Sequence, residues 1–340
     1  MDGLARIRPP SAAEVAAART RIAPPAIRTP LRHFDVYPRG ADGDWSGGHK
    51  DIFLKLETAQ PIKSFKIRGA ANAMRCAAPE TLAKGVWTAS AGNMAQGVAF
   101  VARELGVHCR VVVPDHAPRT KLDAIAALGA EAIKVPFEAW WQAMLTHAHP
   151  GMDGLMVHPF ADTNVMAGNG TIGLELAEDA PDLTAVLVPW GGGGLALGIA
   201  CAMRAVSPET RVYAVEVETA APLTASLAAG KPVTVQRTKT FIDGMGSDRL
   251  SDEMWPLIPG LIAGTVVVTV RQVADALRLL VETAGVTAEG AGAATVAAAL
   301  GGRLNGVSGT TLDAARVACI VSGGNVDADV VATIMRGEIP

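Results

Sequence analysis

Cysteine and excess charge are both scarce in this chain of 340 residues. The four cysteines, Cys76, Cys109, Cys201 and Cys319, lie far apart and form no C-x-x-C pair. They are therefore expected to be reduced core residues rather than disulfides or metal ligands. The formal net charge is only −3. Because no segment concentrates Lys and Arg, a nucleic-acid partner is not expected.

Long hydrophobic runs are also missing, although 49% of the residues are hydrophobic and the mean hydropathy is +0.27. The apolar stretches are diluted with alanine and broken by charges before they reach the ~20 residues of a membrane-spanning helix. The N-terminal segment, residues 1–31, has no uninterrupted apolar core and no small-residue cleavage site of a secretory signal. These features predict a cytoplasmic protein with no membrane partner.

The chain does have a regular alternation of strand and helix patterns. The strand-like segments DIFLKLE, GVWTAS, HCRVVVP and EAIKV are separated by helical ones, and the alternation resumes after a break at about residues 152–165. Serial β-α-β units build parallel sheets that are covered by helices. The pattern predicts an α/β protein with two lobes and a cleft, in which ligands bind beyond the carboxyl ends of the strands.

Three glycine-bearing turns join predicted strands to predicted helices. PWGGGGL (189–195) can present backbone N–H groups to an anion at a helix N-terminus. It matches neither G-x-G-x-x-G nor G-x-x-x-x-G-K-[ST], so the dinucleotide and ATP signatures are missing. SAGNMAQG (90–97) and VSGGNVD (321–327) are similar in character. Taken alone, each of these two is better explained by ordinary helix capping than by a binding site.

A fourth turn, SFKIRGA (64–70), presents Lys66 at the start of a predicted helix. A lysine amine is mostly protonated in water and becomes a useful nucleophile when it is buried or already engaged with a carbonyl group. Most lysines are solvated. Lys66 is therefore a candidate only in combination with the other three turns.

Together, SFKIRGA, SAGNMAQG, GGGGL and SGGN, in this order and at these separations, resemble the fold type II pyridoxal-phosphate enzymes, specifically the serine/threonine dehydratase and serine racemase group. The resemblance covers nearly the whole chain, from RTPL (28–31) through AGNGTIGLE (167–175) to the C-terminal unit. It implies a tryptophan synthase β-like α/β fold of two domains, each an open, mostly parallel sheet covered by helices. The large cofactor-binding domain would comprise residues 1–84 and 158–340, and a small mobile domain residues 85–157. It also implies pyridoxal 5'-phosphate as cofactor, an amino-acid substrate and a homodimer.

By matching position, the resemblance implies roles for individual residues. Lys66 corresponds to the lysine that is linked covalently to the cofactor, and it is a candidate catalytic residue together with Ser90. Among the implied cofactor contacts, Phe65 packs on the ring, Asn93 bonds the ring hydroxyl and Ser322 faces the pyridine nitrogen. Glu289 is an implied neighbour of the cofactor. The implied phosphate cradle consists of Gly191, Gly192, Gly193, Gly194 and Leu195. The implied substrate contacts are Ser64, Ser90, Ala91, Gly92, Asn93 and Met94.

Some positions depart from the pattern of the group. Ala91 stands where racemases carry a second serine as a base, so net racemisation is expected to be poor. Met94 replaces the usual histidine, and Lys63 precedes the serine of the turn, either as a solvated cation or as a partner for a second substrate carboxylate. Glu216 matches one ligand of a divalent cation in some relatives, but Pro222 stands where a second carboxylate is expected. We therefore expect no bound metal, with Glu216 the one weak candidate.

The activity that the resemblance implies is β-elimination. A 3-hydroxy amino acid, such as threonine, serine or a bulkier or acidic analogue, would be dehydrated and deaminated to a 2-oxo acid and ammonia. A hydroxyl rather than a carboxylate at the ring nitrogen favours prompt loss of a β-substituent. A racemase and a β-replacement synthase of the same fold stay open as alternatives. The chain ends soon after the last predicted helix, without a regulatory domain, which favours a role in amino-acid catabolism.

Overall fold

The computed structural model describes residues 7–35, 51–301, 303–305 and 316–340. Its strands are β1 Leu31–His33, β2 Asp51–Leu56, β3 Val86–Ala89, β4 Cys109–Pro114, β5 Glu131–Val135, β6 Leu155–Met156, β7 Ala185–Pro189, β8 Arg211–Val217, β9 Gly264–Val268, β10 Arg303–Asn305 and β11 Arg316–Val321.

The helices are α1 Ala12–Ile22, α2 Lys66–Cys76, α3 Pro79–Leu82, α4 Asn93–Leu105, α5 Arg119–Ala127, α6 Phe137–Thr146, α7 Thr163–Asp179, α8 Gly194–Val206, α9 Pro222–Ala229, α10 Val270–Leu279, α11 Gly290–Gly301 and α12 Ala328–Met335. A π-helical turn, Leu280–Ala284, extends α10. Among the described residues, no helix combines the length and apolar character that crossing a bilayer requires.

The strands form two sheets. The larger has the order β1-β2-β11-β7-β8-β9-β10, in which the five central strands run parallel and β1 and β10 are antiparallel edges. The smaller has the order β5-β4-β3-β6 and is entirely parallel. The predicted α/β architecture with two mostly parallel sheets is confirmed.

The large sheet is buried on both faces. Along β7, Leu187 belongs to one apolar core, which includes helices α10 and α11, whereas Val186 and Val188 belong to a second core, which includes α7 and α8. Successive side chains of a strand point to opposite faces. Helices on both faces therefore account for the continuous apolar sequence of the central strands.

This topology brings three of the four predicted turns together. β11 lies between β2 and β7 in the large sheet, and all three run in the same direction. The turns that follow them therefore meet at one edge, while the SAGN turn follows β3 of the small sheet. The strands of the small sheet lie between Val86 and Met156. The assignment of residues 85–157 to a separate mobile domain stays a prediction.

Candidate active site

Lys66 is the first residue of α2 and lies directly after the turn that leaves β2. The backbone of this turn is bonded to the turn that follows β11. The Phe65 N–H donates to the Ser322 carbonyl at 3.1 Å, and the Gly324 N–H donates to the Lys63 carbonyl at 2.8 Å. The SFK and SGGN motifs, which are far apart in sequence, therefore form one connected structure.

The Lys66 amine lies in a confined environment. Nζ donates to the Pro159 carbonyl oxygen at 2.6 Å and lies 5.1 Å from the centroid of the Phe65 ring. Burial lowers the pKa of Lys66 to about 8, and the negative charge of Glu289 partly opposes this shift. The amine is therefore much easier to deprotonate than an ordinary lysine.

Glu289 and Asn93 form a second group in the site. Glu289 precedes α11 and is only 7% exposed. Both of its carboxylate oxygens accept from Asn93 Nδ2, at 3.0 and 2.9 Å, and Asn93 Oδ1 accepts from Asn325 Nδ2 at 2.8 Å. Burial raises the pKa of Glu289 to about 7, while the Asn93 hydrogen bonds and the Lys66 charge oppose the rise. The pair joins the small sheet, through α4, to the large one.

Two further predicted residues, Ser64 and Ser322, are also enclosed here. Ser64 forms an isolated β-bridge with Gly323, and both serines are 1% exposed or less. The Gly323 carbonyl accepts from the Glu289 N–H at 2.9 Å. Leu195, at the start of α8, is buried at 5% exposure. The turn after β11 thus has backbone bonds to both the Lys66 turn and Glu289.

The four-glycine turn lies between β7 and α8, and three of its glycines, Gly192, Gly193 and Gly194, have no room for a side chain. Gly193 has a φ of +88°, in the left-handed region that favours glycine. A Cβ on Gly192 would overlap the Phe160 ring, and a Cβ on Gly194 would lie 2.6 Å from the Phe160 carbonyl oxygen. Close packing therefore requires glycine in this turn. The turn also leads into the N-terminus of α8, where backbone N–H groups suit an anion.

The SAGN turn contains both an open backbone and a buried side chain. The Gly92 N–H donates to Ser90 Oγ at 3.2 Å, and a Cβ on Gly92 would meet no atom within 4 Å. Ala91 is partly buried beside it. Met94, in contrast, is 1% exposed and belongs to an apolar core cluster with residues of α2 and α4. Its predicted contact with substrate stays a prediction that this packing does not favour.

Lys63 has an unusual conformation for a non-glycine residue, with a φ of +54°. Its side chain lines an open surface cavity of about 660 Å³ together with Thr58, Thr287 and Val326. None of the predicted catalytic, cofactor or substrate residues lines this cavity. The solvated-cation interpretation of Lys63 is therefore favoured over a role in binding a second substrate carboxylate.

Glu216, the weak metal candidate, has its carboxylate oxygens engaged within the protein. They accept from the backbone N–H groups of Leu223 and Thr224, both at 2.8 Å, and from Thr224 Oγ1 at 2.6 Å. These donors are in the first turn of α9. A buried carboxylate at a helix N-terminus satisfies amides that have no partner within the helix. Glu216 therefore acts as a helix cap.

Within the described part of the chain, His147, His158 and Glu253 place three potential ligand atoms within 4.8 Å of one another. Both ring nitrogens of His158 are already engaged. Nδ1 accepts from the Ala161 N–H at 2.7 Å, and Nε2 donates to the Met144 carbonyl at 3.2 Å. A metal at Nε2 would require a proton on Nδ1, facing another donor, so we assign no metal to this cluster.

Sequence reasoning did not assign roles to several residues that contact the predicted site. Pro159 and Phe160, in the HPF segment after β6, contact the Lys66 amine and the glycine turn, respectively. Asn325 bonds to Asn93. Asn325 lies within the SGGN motif, so its type and place were visible in the sequence. A contact made by the carbonyl of Pro159 leaves no comparable signal.

The comparisons with known proteins agree with this site. The family model described as "Pyridoxal-phosphate dependent enzyme" matches residues 22–323. An L-threonine ammonia-lyase of Geobacter sulfurreducens is 42% identical over 288 residues, covering 84% of this chain and 70% of that protein. The structure of maize serine racemase superimposes with a TM-score of 0.82 at 30% identity, covering 97% of this chain and 98% of that one. The structure of a T.th. threonine deaminase gives a TM-score of 0.76 at 34% identity, covering 94% and 99%.

The chain therefore belongs to the pyridoxal-phosphate-dependent enzyme family. Its fold is that of the fold type II members, as the four turns implied, and its cofactor is pyridoxal 5'-phosphate.

Proposed function

We propose that this enzyme is an ammonia-lyase that dehydrates and deaminates a 3-hydroxy amino acid to a 2-oxo acid and ammonia. The observation that carries the proposal is the Lys66 amine, which has a lowered pKa, donates to the Pro159 carbonyl and follows a turn whose backbone is bonded to the SGGN turn. The similarity to threonine ammonia-lyase and threonine deaminase supports this reaction.

The residues present fit the cofactor. The glycine turn offers backbone N–H groups without side chains, which suits the phosphate. Lys66 is the residue we expect to be linked to the cofactor, Phe65 to pack on its ring, Asn93 to bond its hydroxyl and Ser322 to face its nitrogen. When bound, pyridoxal phosphate supplies an electrophilic carbon for the substrate amine and an electron sink for the substrate Cα.

Lys66 is also the proposed general base. With a pKa of about 8, about one amine in ten is neutral at pH 7 and can accept the proton from the substrate Cα at Nζ. The Pro159 carbonyl orients this nitrogen by accepting a hydrogen bond from it. Ser90, Ala91 and Gly92 are proposed to bind the substrate carboxylate through the open turn before α4, where a helix N-terminus favours negative charge.

Racemisation is the second candidate, since serine racemases are among the similar structures. Ala91 argues against it, because a methyl group carries no proton to deliver to the opposite face of Cα. We therefore propose elimination as the main reaction. A β-replacement synthase remains the alternative within the same fold, and the addition of an external nucleophile distinguishes it.

We further propose that residues 85–157 form a small domain that moves as substrate binds, and that the enzyme is a cytoplasmic homodimer of amino-acid catabolism. Contacts between the two parts, such as the ion pair at 2.5 Å between Lys121 of α5 and Asp243, support a closed arrangement. The resemblance to the dehydratase group supports the homodimer, the cytoplasmic location and the role in amino-acid catabolism. A sedimentation mass of twice 35.0 kDa tests the dimer.

The experiment that tests the reaction is a product assay over a panel of 3-hydroxy amino acids. We expect one of them to give 2-oxo acid and ammonia in equal amounts, with little of the opposite enantiomer. Lys66→Ala should abolish both products, whereas Lys63→Ala, at the surface cavity, should retain them. Accumulation of the enantiomer, or of a substituted product when sulfide is present, would overturn the proposal in favour of the corresponding alternative.

A further inference from the structure

The segment His158–Ala161 contacts three parts of the protein that matter for the site. The Pro159 carbonyl accepts from the Lys66 amine. The Phe160 ring and backbone pack against the glycine turn. The side chain of His158 reaches α6, which packs on the small sheet. No reacting group lies in this segment, yet its backbone position determines the surroundings of Lys66.

The hydrogen bonds of His158 fix its ring. Nδ1 accepts from the backbone N–H groups of Phe160 at 3.3 Å and Ala161 at 2.7 Å. Nε2 lies 3.2 Å from the Met144 carbonyl, which can only accept. The proton of the neutral ring is therefore on Nε2. Met144 is in the last turn of α6, whose carbonyls lack partners within the helix, so this bond also caps the helix.

The surroundings of His158 keep the ring neutral. It is 2% exposed, and it stacks on His147 with ring centroids 4.4 Å apart. Burial, and to a smaller extent the charges of His147 and Lys66, lowers its pKa to about 3, while the Met144 carbonyl opposes the shift. A proton on Nδ1 would also face two backbone donors. The ring thus remains a fixed acceptor at any pH at which the enzyme is expected to work.

The two bonds to Nδ1 close a turn around Pro159. Because proline has a fixed φ and no N–H, the direction of its carbonyl follows from the positions of its neighbours. His158 on one side is tied to Phe160 and Ala161 on the other, and the carbonyl between them points to Lys66 Nζ at 2.6 Å.

We propose that His158 is a positioning residue, which holds the Pro159 carbonyl against the Lys66 amine by accepting hydrogen bonds from the turn at Nδ1. This inference rests on the proposed function in that Lys66 is the reacting group. It separates the roles of the two ring nitrogens: Nδ1 orients the turn, and Nε2 attaches it to α6.

The test measures the pH dependence of the reaction of Lys66 with acetic anhydride, using full-length protein from which any bound cofactor has been removed. Modified peptides are quantified by mass spectrometry, with the exposed Lys84 as internal reference. His158→Asn keeps an acceptor at the Nδ1 position, whereas His158→Gln places its amide near the Nε2 position and has no acceptor at the Nδ1 position. His158→Ala, which offers neither an acceptor nor a donor, is the second variant in case glutamine prevents folding. His108→Asn, at a histidine with a 64% exposed side chain, is the matched control.

We expect a midpoint near 8 for the wild type, for His108→Asn and for His158→Asn. In His158→Gln or His158→Ala the amine loses the fixed carbonyl that accepts a hydrogen bond from its charged form, so the midpoint should fall by about one pH unit. A natively folded Gln or Ala variant with the wild-type midpoint would overturn the proposal, as would an Asn variant that shifts as far. The assay involves neither cofactor nor turnover, so failure of the proposed reaction in the product assay would be a separate result.

Discussion

Two titratable side chains, Lys66 and Glu289, determine the chemistry of the site at the scale of single residues. Burial lowers the pKa of the amine and raises that of the carboxyl, whereas each charge has the opposite effect on its neighbour. Their resulting pKa values, about 8 and about 7, differ by much less than those of free lysine and glutamate. Both groups can therefore change protonation near neutral pH, which is typical of residues that transfer protons.

The lowered pKa of Lys66 predicts how the cofactor is captured. Only a neutral amine can attack an aldehyde, so the capture rate of pyridoxal phosphate by cofactor-free protein should rise with pH, with a midpoint near 8 rather than 10.5. Glu289→Gln removes the negative charge that raises the pKa of Lys66 and should move the midpoint lower. Visible absorbance in a stopped-flow instrument follows the capture. A wild-type midpoint near 10 would contradict the burial argument.

The raised pKa of Glu289 predicts a stability effect with a definite sign. Between its usual pKa of 4.5 and about 7, the folded protein holds a proton that the unfolded chain has lost. The contribution of protonated Glu289 to the free energy of unfolding is therefore fully present below pH 4.5 and is lost as the pH rises to 7. Glutamine cannot lose this proton. In cofactor-free protein, the free energy of unfolding of Glu289→Gln relative to the wild type should therefore increase by roughly 1–3 kcal/mol as the pH rises from 4.5 to 8.

Urea unfolding at several pH values measures this difference between the Glu289→Gln variant and the wild type. Glu209→Gln, at an exposed carboxylate, is the matched control and should show no such trend. A difference that is independent of pH would mean that the carboxyl of Glu289 ionises normally in the folded protein.

At the scale of elements, the first turn of α2, which begins at Lys66, is held by a buried group of charged side chains around Arg68. Arg68 is completely buried and bonds to both oxygens of Glu57 and of Glu175. Lys55, also buried, bonds to Glu175 at 2.7 Å. Two cations and two carboxylates balance in charge, so the first turn of α2 is tied to β2, to the turn after it and to α7.

Removing Arg68 should leave two buried carboxylates without their main partner. Arg68→Met is expected to lower the free energy of unfolding by about 3–5 kcal/mol. Arg119→Met should cost less than ~1 kcal/mol, because Arg119 and its partner Asp123 are 91% and 68% exposed and surface pairs contribute little. Chemical denaturation of both variants checks the difference. Equal small losses would show that the buried group is not important for stability.

The glycine turn predicts a selective rescue. A Cβ at Gly192 overlaps the Phe160 side chain, whereas a Cβ at Gly194 meets the Phe160 backbone. Both Gly192→Ala and Gly194→Ala should weaken cofactor binding by tenfold or more, an effect on the order of 1.4 kcal/mol. Adding Phe160→Ala should restore binding only to the Gly192→Ala variant. Fluorescence titration with pyridoxal phosphate measures both; rescue of the two variants alike, or of neither, would contradict the geometry.

At the scale of the whole molecule, the sequence predicted those features that have a local signal. The central strands are continuous apolar runs because both faces of the large sheet are buried. Glycine after a helix is another local signal: Gly106 and Gly129 follow α4 and α5, and both have a left-handed φ. The sequence pattern did not predict α11, since it is buried on every side and shows no amphipathic period. Nor did it predict the antiparallel edges β1 and β10, which are only three residues long.

For the active site too, the sequence predicted only the features that have a local signal. The four turns could be found because glycine, serine and lysine at strand ends are visible in the sequence, and the resemblance then grouped them. Backbone contacts, such as that of the Pro159 carbonyl with Lys66, depend on the fold and have no side-chain signature. The cap formed by Glu216 on α9 was missed for a related reason, because its partners are mostly backbone N–H groups.

The central claim is that Lys66 carries pyridoxal phosphate and that the loaded enzyme eliminates water from a 3-hydroxy amino acid. The most direct measurement is the visible absorbance spectrum of the purified protein and of Lys66→Ala, before and after addition of each amino acid that yields a 2-oxo acid. The account predicts a band of bound cofactor near ~410 nm in the wild type, which these amino acids alter, and its loss or displacement in the variant. An identical band in both proteins, or a 2-oxo acid formed at the wild-type rate by the variant, would contradict it.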